Sequence, residues 1–374
     1  MAAETKGKNS AGQGNTNRKG NGSSKMSAKQ RAQKKRRKIF IFAAEIVVLL
    51  VALFVLYGVL QGEKVGRVEI KESDIIMNEK VAENESLKGY RNIALFGVDS
   101  TAGEIRKNTR TDTIMIASIN QDTGEVKLVS LYRDTYLNLS NDTYTKCNAA
   151  YRKGGPEMAI NMLNMNLDLN ITDFVTVGFA GLTDTIDALG GVYIDVDEEE
   201  LKHINNYQYC MAEDLKRSYT EVTETGYQLL DGLQATAYCR IRYTAGNDFK
   251  RAERQREVLQ AVADVAKKAN VSSLTSIANN VFDEVYTSLD LSEIVELLGS
   301  ITKYSIVAED GFPREDMRAT GNVGSSGSCV VPVSLTDNVK WLHEFLFNET
   351  GYEVSTDVQK ISEKIYSDTA SYVK

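Results

Sequence analysis

The stretch "DTIMIASINQDTGEVKLVSLYRD", Asp112 to Asp134, contains two short β-rich runs, "DTIMIASIN" and "VKLVSLYRD", and its reading decides the fold. Near-continuous apolar character without strict alternation predicts strands buried on both faces. "NIALFGVD" (Asn92–Asp99) upstream and "FVTVGF" (Phe174–Phe179) and "VYIDV" (Val192–Val196) downstream read the same way.

Helical patterns alternate with these runs. "PEMAINMLNMNL" sets Met158, Met162 and Met165 at helical spacing, a stripe that fits core filling. "GLTDTIDAL" ends at Gly190-Gly191, a C-cap signal. Beyond Asp248 a long helix is predicted to about Ala269, followed by two amphipathic segments, "SLTSIANNVFDEVYTSL" and "LSEIVELLGSITKY". After the linker-like "GSSGS", "VVPVSL" and "TDNVKWLHEFLF" read as a closing strand and helix. The expected fold class is α/β: a central mixed β-sheet flanked by helices in an α-β-α arrangement, preceded by one transmembrane helix.

The chain has 374 residues, a net charge of −7 and 42% hydrophobic content, ample for a packed core. Its charge is unevenly spread. Residues 1–38 hold twelve of the 44 Lys/Arg but one of the 51 acids, end in "KKRRK", and lack any apolar period, which predicts a disordered cytoplasmic tail. "IFIFAAEIVVLLVALFVLYGVL", Ile39–Leu60, is long enough to cross a bilayer as a helix, with Glu45 its one charge. No small-residue cleavage site follows, so the run is expected to be an uncleaved signal-anchor. The basic block keeps the N-terminus inside and residues 61–374 outside. Residues 61–88 read as a stalk and 89–374 as an extracellular domain with a C-terminal helical extension.

Cys147, Cys210, Cys239 and Cys329 are widely spaced and form no CxxC, leaving buried thiols or one disulfide open. With two histidines, His203 and His343, and neither GxSxG nor HExxH, zinc hydrolysis and a serine triad have no support.

Against an acidic background, "YCRIRYTAGNDFKRAERQRE" (Tyr238–Glu257) packs five arginines and a lysine into twenty residues. If "YCRIRY" is extended, Arg240 and Arg242 share a face. On the following helix Arg251 and Gln255 continue the stripe of Leu259, Val262 and Ala266, so both are expected to point inward. Arg254 flanks that stripe, and Arg256 lines up with Gln260, Asp264 and Lys267 on a solvated face. Inward guanidiniums near a helix N-terminus need an anion, either structural carboxylates or a phosphate ligand. Asp99, Arg110, Asp112, Arg133 and Asp134 sit where predicted strands begin or end, which is where a sheet presents a site. Carboxylates beside arginines and a diphosphate suggest magnesium.

Together these stretches resemble the LytR-CpsA-Psr family of bacterial cell-wall phosphotransferases. The likeness runs from about Asn92 to Leu259 through "NIALFGVDS", "RTDTIMI", "VSLYRDTYL", "KCNAAYRKGG", "VGFAGLTDTIDALGGVYIDV", "LLDGLQATAYCRIR" and "DFKRAERQREVL". The resemblance implies Mg2+-dependent transfer of an anionic glycopolymer, teichoic acid- or capsule-like, from a polyprenyl-pyrophosphate carrier to a peptidoglycan sugar hydroxyl. It implies a hydrophobic pocket for the polyprenyl chain, with Asp99 and Asp112 holding the metal and Arg133, Arg240, Arg242, Arg251, Arg254 and Gln255 gripping the pyrophosphate. Asp112, Arg133 and Asp134 are the expected catalytic residues, an aspartate assisting deprotonation of the acceptor. The implied partners are the lipid-linked polymer, peptidoglycan and the lipid bilayer of a Gram-positive-type cell membrane, with no nucleic acid. A non-catalytic membrane-tethered regulator or lipid-glycan-binding protein, or a polyprenyl-pyrophosphate hydrolase, are the competing readings.

Overall fold

The computed structural model describes residues 70–99, 105, 109–266, 285–289 and 304–372. The basic tail and the apolar run 39–60 lie outside the described residues, and no helix among those described is long and apolar enough to cross a membrane.

After a 3-10 turn at Glu72–Asp74, the described part carries two single-turn helices, α1 (Glu79–Ala82) and α2 (Glu85–Lys88), and then builds the strands predicted from the apolar runs. These are β1 (Tyr90–Val98), β2 (Thr111–Asn120) and β3 (Glu125–Leu131), joined antiparallel. The β2–β3 turn is shaped by Asn120, whose side-chain oxygen accepts from the backbone N–H groups of Asp122 and Thr123, and by Gly124 at φ 73°. A short hairpin follows, β4 (Tyr136–Asn138) and β5 (Tyr144–Lys146), then α3 (Ala149–Leu167), kinked at Gly155-Pro156. Next come β6 (Asp173–Gly178), α4 (Phe179–Leu189), β7 (Val192–Val196), α5 (Glu198–Leu215), β8 (Gly226–Leu230), α6 (Gly232–Tyr238) and α7 (Asn247–Ala266). The C-terminal part holds β9 (Val285–Thr287), β10 (Ser305–Phe312), the hairpin β11 (Arg318–Asn322) and β12 (Ser328–Pro332), and helices α8 (Leu335–Phe347) and α9 (Thr356–Thr369).

Six strands form one mixed sheet in the order β10-β3-β2-β1-β6-β9, with β10 parallel to β3 and β6 parallel to β1. Strand periodicity splits its side chains between two cores. Ile93, Ala117, Leu128 and Val175 join the core under α4–α7 and the β7–β8 ribbon. Ala94, Phe96, Ile116, Val129 and Phe174 join the core under α3, α8 and α9. The sheet is therefore covered on both faces, as near-continuous apolar strands require. Met162 is fully buried in the second core, and Gly190, at φ 85°, caps α4.

Three expectations change. Residues 70–88 are part of the domain rather than a stalk: Val81 and Leu87 are buried, and the Asn78 amide donates to Asp168, after α3, and to Ser355, near the C-terminal end. Isolated anchors in a polar stretch carry no period, so the pattern hid them. Within "SLTSIANNVFDEVYTSL", Val285–Thr287 is a strand at the sheet edge, where pairing with β6 overrides helical patterning; residues 273–284 and 291–303 lie outside the described residues. "YCRIRY" is not extended. Asp231 and Gln234 form a capping box that starts α6, so Tyr238 ends a helix and Arg240–Arg242 follow as a turn.

Candidate anion-binding site

The site lies at one end of the sheet, where β1, β3, β6 and β10 end and β2 begins. Gly97, facing Thr113 across a bulge, lets β1 approach β2 there, since a Cβ would stand 2.8 Å from that threonine's Cβ. β2 supplies Asp112, the residues after β3 supply Tyr132, Arg133 and Asp134, and the first turns of α7 supply Asn247, Asp248, Arg251 and Gln255. With Thr320, Ser328 and Val330 of the C-terminal hairpin they line a cavity of about 300 Å³.

Three guanidiniums converge on two carboxylates. Arg133 reaches Asp112 at 2.6 Å and Asp248 at 3.3 Å. Arg242 reaches Asp112 at 3.1 Å and Asp248 at 3.5 Å. Arg251 stands 3.2 Å from Asp248 and 3.9 Å from Asp112. One positive charge is left over within this set.

The surplus falls on Arg251, which is 4% exposed. Its Nη2 donates to the Asp112 backbone carbonyl at 3.0 Å, whereas its buried Nε and Nη1 make no hydrogen bond, nor does Asp248 Oδ1. Burial, then the neighbouring Arg133, push the Arg251 pKa down to about 10 despite the two acids. Burial raises the Asp112 carboxyl, but Arg133, Arg251 and Arg242 outweigh it and hold its pKa below the ordinary value. Burial likewise works against the Arg133 cation, and Asp112 and Asp248 more than offset it. The site is thus a partly desolvated, electropositive cavity with N–H donors to spare, suited to a small polyanion.

The remaining predicted residues divide. Gln255 lines the same cavity, as does Asp134, paired with Lys146 at 3.4 Å. Asp99 is exposed at the end of β1, next to the Val98–Thr111 pair that leads into Asp112. Arg240 stacks on Phe179 at 4.6 Å and makes no ion pair among the described residues. Arg110 is exposed.

The sequence of residues 57–332 matches the LytR_cpsA_psr family. The chain belongs to this family. Among relatives, a polyisoprenyl-teichoic acid–peptidoglycan teichoic acid transferase TagU of Oceanobacillus iheyensis is 29% identical over 292 residues, 73% of this chain and 84% of the relative. TagV of Bacillus subtilis, named for the same transferase activity, is 29% identical over 206 residues, 54% of this chain but only 50% of TagV. Biofilm regulatory protein A of Streptococcus mutans is 30% identical over 58% of this chain and 56% of its own. The fold is that of TagT bound to LI-WTA, with a TM-score of 0.55 and 20% identity, covering 81% of this chain and all of that one.

Two arginines of this family member lie elsewhere than their spacing predicts. Arg254 does not line the cavity. It is 1% exposed, its Nε bonds Glu200 at 2.8 Å, and its two terminal nitrogens donate to the Ile241 carbonyl and the Thr244 hydroxyl at 3.1 and 2.8 Å. Glu200 also accepts from the Tyr238 hydroxyl at 3.1 Å. The pair holds in place the turn that carries Arg240 and Arg242. Arg256 is not on a solvated face: it is 6% exposed, donates to Ser130 Oγ at 2.9 Å and stands 3.5 Å from Glu309. α7 is bound by the sheet's β3–β10 edge as well as by its apolar stripe, so helical spacing alone misassigns that face.

Asp248 was missed as a site residue, though its i,i+3 spacing to Arg251 at a helix start was available. Tyr132, Phe249 and the β11–β12 residues carried no local signal. All four cysteines are free, with only Cys210 exposed.

Proposed function

We propose that this protein is a transferase that moves an anionic glycopolymer, teichoic acid- or capsule-like, from a polyprenyl-pyrophosphate carrier to a sugar hydroxyl of peptidoglycan. The observation that carries the reading is Arg251, buried beside two like charges with no hydrogen bond from Nε and with Nη1 held only in an ion pair to Asp248 at 3.2 Å. A diphosphate would supply both the acceptor atoms and the missing negative charge. The names of the relatives support the same chemistry, and octaprenyl pyrophosphate is bound by a TagT structure of 0.51 TM-score and 20% identity.

In this reading Arg133, Arg240, Arg242, Arg251 and Gln255 hold the diphosphate. The acceptor oxygen forms a bond to the sugar-side phosphorus, the bond from that phosphorus to the bridging oxygen breaks, and polyprenyl phosphate leaves. Asp134, which lines the cavity and has one lysine partner, accepts the hydroxyl proton, because Asp112 is committed to three arginines that hold its pKa below the ordinary value. Asp112, in the first residues of β2, and Asp99, just after β1, are the hard oxygen donors that would hold magnesium, which takes one or two carboxylates plus phosphate oxygens. Among the described residues no group of three or more His, Cys, Asp or Glu could hold a metal by itself, so phosphate oxygens would complete the ligand set. When bound, the ion would neutralise charge developing on the phosphoryl oxygens. The run 39–60 would tether this site at the outer membrane face.

The test is turnover by the full chain in lipid nanodiscs, with a lipid-linked polymer, magnesium and a peptidoglycan acceptor. Polymer joined to acceptor supports transfer. Release of free polymer phosphate would make the protein a hydrolase, and tight donor binding without turnover would favour a tethered regulator.

A further inference from the structure

The cavity lining is chemically mixed: Arg133, Arg251 and Asp248 bring charge, and the β11–β12 hairpin, whose cross-strand partners are Arg318–Pro332, Thr320–Val330 and Asn322–Ser328, brings Thr320, Ser328, Cys329 and Val330. The period of two places these six residues on one face of the hairpin.

The inner part of that face is anchored. The Arg318 guanidinium stacks on Phe249 at 3.8 Å and on Tyr132 at 4.9 Å, and its Nη1 donates to the Tyr132 hydroxyl at 2.9 Å. Val330 is buried with Tyr132 and Ala252. Its backbone N–H donates to the Asp134 carbonyl at 2.9 Å, and a parallel bridge joins it to Thr135. The outer part, Thr320, Asn322 and Ser328, is exposed, and Thr320 and Ser328 face the cavity. It offers two hydroxyls and an amide, and no charge.

An anionic polymer or diphosphate is matched by the guanidiniums of the lining. Uncharged hydroxyl and amide groups instead match a neutral sugar ring, which needs donors and acceptors in equal measure. In-line displacement also requires the attacking hydroxyl to enter opposite the leaving oxygen, and Asp134, the cavity carboxylate with a lysine partner, is tied by its backbone to this hairpin. We propose that Thr320, Asn322 and Ser328 form the acceptor subsite, binding an uncharged N-acetylated sugar ring with its reacting hydroxyl beside Asp134. This rests on the transferase reading above, which assigns the guanidiniums to the donor.

The experiment uses full-length protein and two readouts. A neutral β-1,4-linked N-acetylglucosamine tetramer is titrated onto wild-type protein, Thr320→Val and the Thr320→Val/Ser328→Ala double variant, and acceptor and donor KM values are measured in the transfer assay. The single variant keeps side-chain shape, so it guards against loss of fold. Expected results are tetramer binding weakened about fivefold in the single and tenfold or more in the double variant, with the acceptor KM rising in step and the donor KM within twofold of wild type. Equal tetramer affinity in all three proteins, no binding to wild type, or a donor KM that rises with the acceptor KM overturns the subsite. Failure of wild-type turnover with normal, variant-sensitive tetramer binding would instead count against the transferase reading alone.

Discussion

Arg251 donates from Nη2 to the backbone carbonyl of Asp112, 139 residues away in sequence, at 3.0 Å. The bond fixes the start of α7 to the start of β2, so the helix that carries Arg251 and Gln255 and the strand that carries Asp112 form one wall. The rest of the guanidinium is buried in the cavity wall, with Nη1 3.2 Å from Asp248 and Nε without a hydrogen bond.

Replacing Asp112 by Asn removes a carboxylate that three arginines share, leaving Asp248 alone against them. We expect a loss of about 2–3 kcal/mol of stability, below the range for breaking a fully buried pair because the site opens to solvent. Denaturant melts across pH check the origin. The Asp112 pKa is depressed in the folded state, so its contribution is complete above the unfolded carboxyl value of about 3.9 and fades as pH falls through the lower folded value. Wild-type stability should fall below about pH 4, and the variant should lack that part of the slope.

Arg254→Met breaks a buried ion pair and strands Glu200, with an expected cost of about 3–5 kcal/mol. Thr244→Val is the milder test: it removes one of the two bonds from Arg254 to the turn and leaves the ion pair. The donor KM should rise several-fold in Thr244→Val, with a stability loss of about 1–2 kcal/mol, well short of that of Arg254→Met, because the Arg254 Nη2 is left unpaired in a buried site. A donor KM equal to that of wild type would mean that the turn holds Arg240 and Arg242 without this bond.

How far the sequence could be read depends on which forces fixed each part. Apolar runs made β1, β2, β3 and β6 legible, because burial on both faces leaves its mark on composition. Arg251 and Gln255 were legible because two polar residues interrupted an apolar stripe. Arg254 and Arg256 were not, since their partners Glu200, Thr244, Ser130 and Glu309 come from other elements and leave no period in the helix itself. The contribution of β11–β12 was hidden for the same reason, being set by packing against Tyr132 and Phe249.

Arg256→Ala separates these two kinds of reading. A solvated face predicts no change; the bond to Ser130 and the pairing with Glu309 predict about 1–2 kcal/mol of destabilisation. Transfer rates at a temperature where the variant is fully folded should stay within twofold of wild type. Chemical denaturation gives the first number and the assay the second.

Thiol reactivity reports on the packing of both cores. Burial pushes the Cys239 thiol up to about 12 and the Cys329 thiol up to about 11, and raises Cys147 further. Only Cys210 is exposed. One thiol should react rapidly with an alkylating reagent at pH 8, identified by peptide mapping as Cys210, and three more only after denaturation.

The most direct test of the central claim is binding of a short polyprenyl pyrophosphate, with and without magnesium, to full-length wild-type protein and to Arg251→Met. That substitution removes the surplus charge and the two unbonded donors, while Arg133 and Arg242 still neutralise the two acids, so the fold should persist. Wild type should bind the diphosphate at least thirtyfold more tightly than the variant, about 2 kcal/mol, and more tightly than the corresponding monophosphate. Equal affinity of both proteins for the diphosphate, with the variant folded, would contradict the account.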